Sequence, residues 1–321
     1  MTGQAKQKLP LIVLLGPTAV GKTALAVELA ARLNAEIISG DSMQFYRYMN
    51  IGTAKIRPQE MLASDGRLIL HRLVDIIDPD EPFSVADFQM RAGEEIAHVL
   101  SRGKLPLLVG GTGLYIQALC DGYQLSQEAA ADENLRSRLR GEYEQLGALA
   151  LHKRLAQVDP VSAAHIAPAD QKRLIRALEV FENTGRPISL QRRAAESPYN
   201  LLLFGLTRER AALYERIEQR VDIMLAAGLQ NEVERLLSMG YTSDLKSMQG
   251  LGYRQICGYL MGELAYDEAV NLIKRDTRRF AKRQLTWWRR DARIHWFDAG
   301  EQTSASILDA MCQMTEVHFA E

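Results

Sequence analysis

The sequence predicts an α/β protein: a parallel sheet carrying a helical insertion, followed by a basic helical C-terminal region. Three observations lead there. An apolar run, Leu11–Leu15, ends in Gly16 and is followed four residues later by Gly21-Lys22-Thr23, the G-x-x-x-x-G-K-[ST] spacing of a P-loop. Continuous apolar runs alternate with amphipathic stretches over the first 120 residues, as in a parallel sheet covered on both faces. From Asp121 the texture turns helical, until a new apolar run, Tyr199–Leu206, rejoins the sheet.

In chain order, strands are expected at Leu11–Leu15, Glu36–Ser39 and Leu105–Val109, with helices at about Lys22–Leu33 and Val85–Arg102. In the P-loop, Gly16, Pro17, Thr18, Ala19, Val20, Gly21, Lys22 and Thr23 turn backbone N–H groups around an anion. Lys22 adds a point charge, and the Thr23 hydroxyl suits a phosphate-bound Mg²⁺. The spacing identifies a phosphate without naming its owner, and ATP is one candidate. The stretches "DENLRSRLRGEYEQLGALALHKRLAQVD" and "ADQKRLIRALEVFENTGRP" read as helices, with a start at Asp159-Pro160 and a stop at Gly185. After Tyr199–Leu206, helices dominate to about Arg290 and "RIHWFD" offers a last strand. The expected division is a core of residues 1–121 with 199–321, and a helical insertion over 122–198.

Composition bounds the function classes. The chain has 321 residues, 47% hydrophobic and a quarter charged, which is ordinary globular usage. No apolar run approaches the roughly 18 residues of a membrane span, so no membrane partner is expected. The lysines before Leu11 do not mark a signal peptide, because the apolar run leads straight into the P-loop. Cys120, Cys257 and Cys312 lack metal-ligand spacing and read as reduced thiols of a cytoplasmic protein. A monomer is the default expectation. Net charge is −1, yet Leu272–Arg293 carries nine Lys/Arg against Asp276 and Asp291, so +7 is concentrated there and the remainder sums to −8. That concentration resembles a polyanion footprint, although a basic stripe also commonly just faces water. The adjacent Trp287 and Trp288 add surfaces on which bases stack, and one of the two is expected in the core.

Other polar residues fall where such a sheet places ligands, beyond the carboxyl ends of its strands. Asp41, after the second strand, is a general base, a Mg²⁺ partner or the cap of a following turn. Ser42 and Gln44 offer hydrogen bonds to a base edge, or are simply polar residues of a loop. The third strand ends in Gly110-Gly111-Thr112-Gly113 rather than the Asp of many ATPases, suggesting close backbone approach by a ligand or simply a tight turn. Arg216 and Arg220 share a helical face and suit a leaving pyrophosphate, or a solvated face beside Glu218 and Asp222. His71 and Asp75 at this spacing are more often structural.

Eight blocks occur in a specific order: "GPTAVGKT", "GDSMQFYRYMNIGTAK", "VDIIDPDEPFSVADF", "PLLVGGTGLY", "RLIRALEVFENTGRPIS", "RVDIMLAAGL", "QGLGYRQ" and "KRQLTWWRR". Together, over about residues 10–298, they resemble the tRNA dimethylallyltransferases, in the bacterial form without a zinc-finger extension. "HRLVDI" and "TAKIRPQEM" depart slightly from the family's usual text. The resemblance implies a nucleotide-kinase-like sheet whose P-loop cradles the diphosphate of dimethylallyl diphosphate. It implies transfer of the prenyl group, with Mg²⁺, to the exocyclic amine of the adenosine 3′ of the anticodon (position 37) in tRNAs reading codons that begin with U. Asp41 is then the base, with Thr23 (the Mg²⁺-side hydroxyl) and Arg220 as its catalytic companions. The tRNA contacts implied are Asp41, Ser42, Met43 and Gln44; Thr112; and Gln171, Lys172, Arg173, Leu174 and Ile175. They continue with Gln249, Gly250, Leu251, Gly252, Tyr253 and Arg254, then Lys282, Arg283, Gln284, Leu285, Thr286, Trp287, Trp288 and Arg289. The competing readings are a small-molecule P-loop kinase, an isopentenyltransferase acting on free AMP or ADP, and an RNA-binding module with a vestigial P-loop.

Overall fold

A computed structural model describes residues 8–123, 132–191 and 196–320. Its elements run β1 (Leu9–Leu15), α1 (Lys22–Arg32), β2 (Ala35–Ser39), β3 (His71–Arg72), α2 (Val85–Ser101), β4 (Leu105–Gly110) and α3 (Gly113–Cys120). There follow α4 (Glu133–Leu146), α5 (Ala148–Val158), α6 (Pro160–Ala163), α7 (Gln171–Thr184) and α8 (Ile188–Gln191). The chain then forms β5 (Tyr199–Thr207), α9 (Arg210–Ala226), α10 (Leu229–Ser238), α11 (Tyr253–Leu260), α12 (Tyr266–Trp288), β6 (Ile294–Asp298) and α13 (Ser304–Phe319). Two compact units result: one runs to Cys120 and resumes at Tyr199, and the other is Asp121–Pro198.

In the first unit six strands pair in parallel in the order β3-β2-β4-β1-β5-β6. Alternate residues feed separate cores on the two faces, as the period of two requires. Leu11, Val13, Leu15, Ile38 and Leu108 lie in one cluster; Ile12, Leu14, Ile37, Leu107 and Phe204 lie in the other. That double coverage is why β1 reads as an unbroken apolar run. Register decides where the loops emerge: Leu15 pairs with Gly110 and Ser39 with Val109, so β1, β4 and β2 end level. At those ends a Cβ on Gly110 would sit 2.6 Å from the Gly40 backbone. Gly110→Ala is therefore expected to cost about 1–3 kcal/mol of stability, read as a lower urea midpoint, because neither backbone can yield without disturbing the sheet.

The second unit packs its own core from Leu139, Leu151, Leu155, Leu174, Ile175 and Leu178. Asp159 starts α6 by accepting from the Ser162 N–H at 3.0 Å, and α7 stops at Gly185, whose φ of 65° is left-handed. Glu179, 0% exposed, is paired with Arg136 and Arg176 at 2.9 and 2.8 Å. A buried carboxylate without such partners would not stay ionised.

The two-residue β3 escapes any periodicity argument. The loop between β2 and α2 is instead held by buried polar groups. Lys55 Nζ donates to the Tyr46 carbonyl at 2.7 Å and pairs with Asp75 at 2.6 Å, so Asp75 is structural. Glu232 accepts from the N–H groups of Asn50, Ile51 and Gly52 and, at 2.6 Å, from the Tyr253 hydroxyl.

Candidate active site and nucleic-acid interface

The P-loop takes the backbone its glycines permit. Gly16 and Gly21 have φ of 152° and 115°, and Ala19 joins them at 64°. A Cβ on Gly16 would meet the Leu206 carbonyl oxygen at 2.8 Å, so only glycine lets β1 turn beside β5. Gly21 then opens α1, whose first N–H groups lack intrahelical partners and favour an anion. Lys22 Nζ lies over the loop and donates to the carbonyls of Gly16 and Pro17, both at 2.8 Å. The exposed Thr23 follows on the first turn of α1.

Three separate elements converge here. Asp41, just beyond β2, uses Oδ1 to accept from the Met43 N–H at 3.0 Å, which is the turn-capping role foreseen for it. Its Oδ2 makes no hydrogen bond among the described residues. The same carboxylate acts electrostatically on both Lys22 and Arg220. Burial pushes the Asp41 pKa above its usual 3.8, against the opposing pull of the Met43 N–H, Lys22 and Arg220. Burial pulls Lys22 down to about 7, with Asp41 resisting and Arg220 assisting. Arg220 is itself lowered by burial, while Asp41 and Glu60 raise it. Arg216, one turn earlier on α9, donates from Nε to the Ala19 carbonyl at 2.9 Å and fastens that helix to the P-loop. The site thus sets two half-buried basic side chains and one half-buried acid at the P-loop, with ionisation states poised to change.

Of the two readings of the Gly110–Gly113 turn, the protein contacts fit the tight turn: Gly110 lies against Gly40, Gly111 against Gln284, and Gly113 against the Trp287 ring. Thr112 Oγ1 accepts from the Ser42 N–H at 3.1 Å, and the Ser39 hydroxyl reaches Gln44 Oε1 at 3.0 Å. This ties the Asp41–Gln44 loop to β4. Met43 in turn packs where a Cβ on Gly250 would stand, 2.5 Å from its Cε.

The residues expected to touch RNA divide by exposure. On α12, Lys282, Arg283, Thr286, Trp287 and, just past its end, Arg289 are exposed, while Leu285 is half-buried. Gln284 is 6% exposed and Trp288 2%, since spacing of three to four residues turns both inward. Trp288 is the core tryptophan foreseen. Tyr253 is buried on Glu232, leaving Gln249 and Arg254 as the exposed side chains of its loop beside Gly250, Leu251 and Gly252. On α7, Leu174 and Ile175 are buried in the second unit's core, which corrects their expected side-chain contact with RNA, while Lys172 and Arg173 are exposed and Gln171 is half-buried. The basic stripe also divides. Lys274 pairs with Asp222, Arg278 with Glu218, and Arg275 with Asp276. Lys282, Arg283, Arg289 and Arg290 make no ion pair among the described residues. The uncompensated charge therefore sits at the C-terminal end of α12. Gln284, expected among the RNA contacts, is instead committed inside the protein, and the one sequence clue was its place between Ala281 and Trp288 at helical spacing.

The sequence model of the IPP transferase family matches residues 44–291. The chain is 50% identical to the tRNA dimethylallyltransferase of Moorella thermoacetica over 97% of its length and 98% of that relative. It is 56% identical to that of Symbiobacterium thermophilum, covering 91% and 90% of the two chains. Among solved structures, the full-length tRNA isopentenylpyrophosphate transferase of Bacillus halodurans superposes with a TM-score of 0.72 at 45% identity, covering 97% and 98%. A eukaryotic dimethylallyltransferase acting on tRNA reaches a TM-score of 0.79 at 26% identity, covering 96% of this chain and 79% of that one. With its P-loop, the acid beyond β2 and these relatives in view, the chain belongs to the tRNA dimethylallyltransferase (IPP transferase) family.

Proposed function

We propose that this enzyme transfers the dimethylallyl group of dimethylallyl diphosphate to the exocyclic amine of the adenosine 3′ of the anticodon, in tRNAs that read codons beginning with U. The observation that carries the reading is the meeting of Asp41, Lys22 and Arg220 above an anion cradle. The amine lone pair attacks the allylic carbon and the bond from that carbon to the diphosphate oxygen breaks. Asp41 Oδ2 takes the amine proton, and its raised pKa makes it a stronger base than an exposed aspartate. The electron pair leaves on diphosphate, where Lys22, Arg220 and the amides opening α1 receive the charge. The free hydroxyl-bearing turn at Thr23 fits Mg²⁺. Among the described residues no three His, Cys, Asp or Glu side chains form a metal cage, so phosphate oxygens and water would supply most of its ligands. When bound, Mg²⁺ supplies positive charge to the leaving diphosphate. No helix among the described residues is long and apolar enough to cross a membrane, and the three cysteines are free thiols.

A kinase reading gains nothing from this geometry, since β4 ends on glycines enclosed by protein. The deciding assay offers labelled dimethylallyl diphosphate and Mg²⁺ to an anticodon stem-loop, to AMP and to no acceptor, beside an ATP-hydrolysis control. Label on the stem-loop alone is expected. Label on AMP, or ATP turnover without label, would refute the reading. For the RNA surface, the double variant Lys282→Ala, Arg283→Ala is expected to bind the stem-loop more weakly. Each lost phosphate contact on single-stranded RNA removes roughly 0.7 from the slope of log affinity against log salt. An unchanged slope would show that this end of α12 faces only water.

A further inference from the structure

We propose that Gln284 is a positioning residue through which RNA bound on α12 adjusts the diphosphate cradle. The inference rests on the prenyl-transfer reading and adds to it a coupling between the two substrates.

The Gln284 amide is used at both ends. Oε1 accepts from the Thr18 N–H inside the P-loop at 2.9 Å, and Nε2 donates to the Gly111 carbonyl at 3.0 Å. At 6% exposure the side chain has no solvent to substitute for either partner. The fit has little slack, because a Cβ on Gly111 would come within 2.2 Å of Nε2. One residue thus spans the loops that follow β1 and β4. The same turns of α12 present Lys282, Arg283 and Thr286 to solvent, and the Trp287 ring rests on Gly113.

A helix moves as a body. A ligand that engages its outer face displaces or steadies its inner face, and here the inner face holds a P-loop amide. The energetic consequence is reciprocal: if stem-loop RNA tightens the cradle for diphosphate, diphosphate tightens the protein for RNA by the same factor. Asp41 reaches Lys22 only through charge, whereas Gln284 grips the loop backbone itself, which makes it the mechanical link.

The test is calorimetric titration of the full chain with anticodon stem-loop and with inorganic diphosphate, each alone and each in the presence of the other. In the wild type each ligand is expected to tighten the other at least about fivefold. Gln284→Met keeps the volume and removes both hydrogen bonds. Its coupling factor should fall below about twofold and its KM for the prenyl donor should rise, while its affinity for stem-loop alone stays near wild type. A merely structural glutamine would weaken both ligands without changing the factor, and that result overturns the proposal. Should Gln284→Met fail to fold, Gln284→Leu decides: it too offers Thr18 no acceptor and Gly111 no donor, and undiminished coupling in it also overturns the proposal. Wild-type protein that transfers prenyl groups but shows no coupling refutes this inference alone. Wild-type protein with neither transfer nor stem-loop affinity refutes the underlying reading and this one with it.

Discussion

Asp41→Asn is expected to lower the rate of prenyl transfer by about two to four orders of magnitude, the usual contribution of a positioned general base. Diphosphate and stem-loop affinities should stay within a few-fold of wild type, because the Asn side-chain oxygen still accepts from Met43 and holds the loop. The pH profile follows from the raised pKa. The wild-type rate should rise through an acid limb lying above the usual aspartate value of 3.8, and that limb should vanish in the residual activity of the variant. Stability moves the other way. A carboxyl whose folded pKa is raised favours the fold at low pH and loses that contribution as pH rises through the folded value. At neutral pH the ionised Asp41 is therefore a cost, and Asp41→Asn should unfold no earlier than wild type in a thermal scan. A variant that transfers at near the wild-type rate would remove Asp41 as the base.

Lys22→Met should raise the donor KM by about two orders of magnitude or more, because the point charge over the loop meets the diphosphate in the ground state and again as charge grows on departure. A sharper signature lies in proton uptake. With its pKa near 7 in the free protein, Lys22 is mostly neutral at pH 8, and a bound polyanion must drive it back to the ammonium form. Diphosphate binding at pH 8 should thus take up close to one proton, seen as a dependence of binding enthalpy on the ionisation enthalpy of the buffer. The uptake should fade toward pH 6 and be absent from Lys22→Met. The same depression sets a sign for stability: the contribution is present above the unfolded value of 10.5 and lost as pH falls through about 7. The ligand-free wild type should accordingly gain stability from pH 7 toward pH 10 relative to the variant. Equal uptake in both proteins would place the titrating group elsewhere.

Much of the core was legible because it is local. The strands β1, β4 and β5 are largely apolar runs. The helix α2 begins at Ser84, which shares a capping box with Asp87. Gly185 stops α7 as expected. These signals need only neighbours in the chain. β3 was not legible, since two residues carry no period. The loop before α2 was not legible either, since Lys55 and Glu232 hold it through bonds to distant backbone. The surplus of basic residues in Leu272–Arg293 was visible from composition. Its splitting was not, because Asp222 and Glu218, which neutralise Lys274 and Arg278, come from another helix.

By itself the sequence determined that a P-loop joins β1 to α1, and that the chain carries the ordered blocks of the tRNA dimethylallyltransferase family. A P-loop is a short backbone conformation, and its glycines, lysine and threonine specify it within eight consecutive residues. The residues alone left open which polar groups meet at that loop; the family resemblance named them, and the tertiary structure supplied the packing that brings them together. Hydrophobic periodicity says which side of an element is buried, not what it is buried against. Only the level ends of β1, β4 and β2 bring Asp41 to Lys22, and only the packing of α9 adds Arg220. The same limit applies to α12: its charge was readable in one dimension, but the inward turn of Gln284 onto Thr18 and Gly111 exists only once the helix is docked.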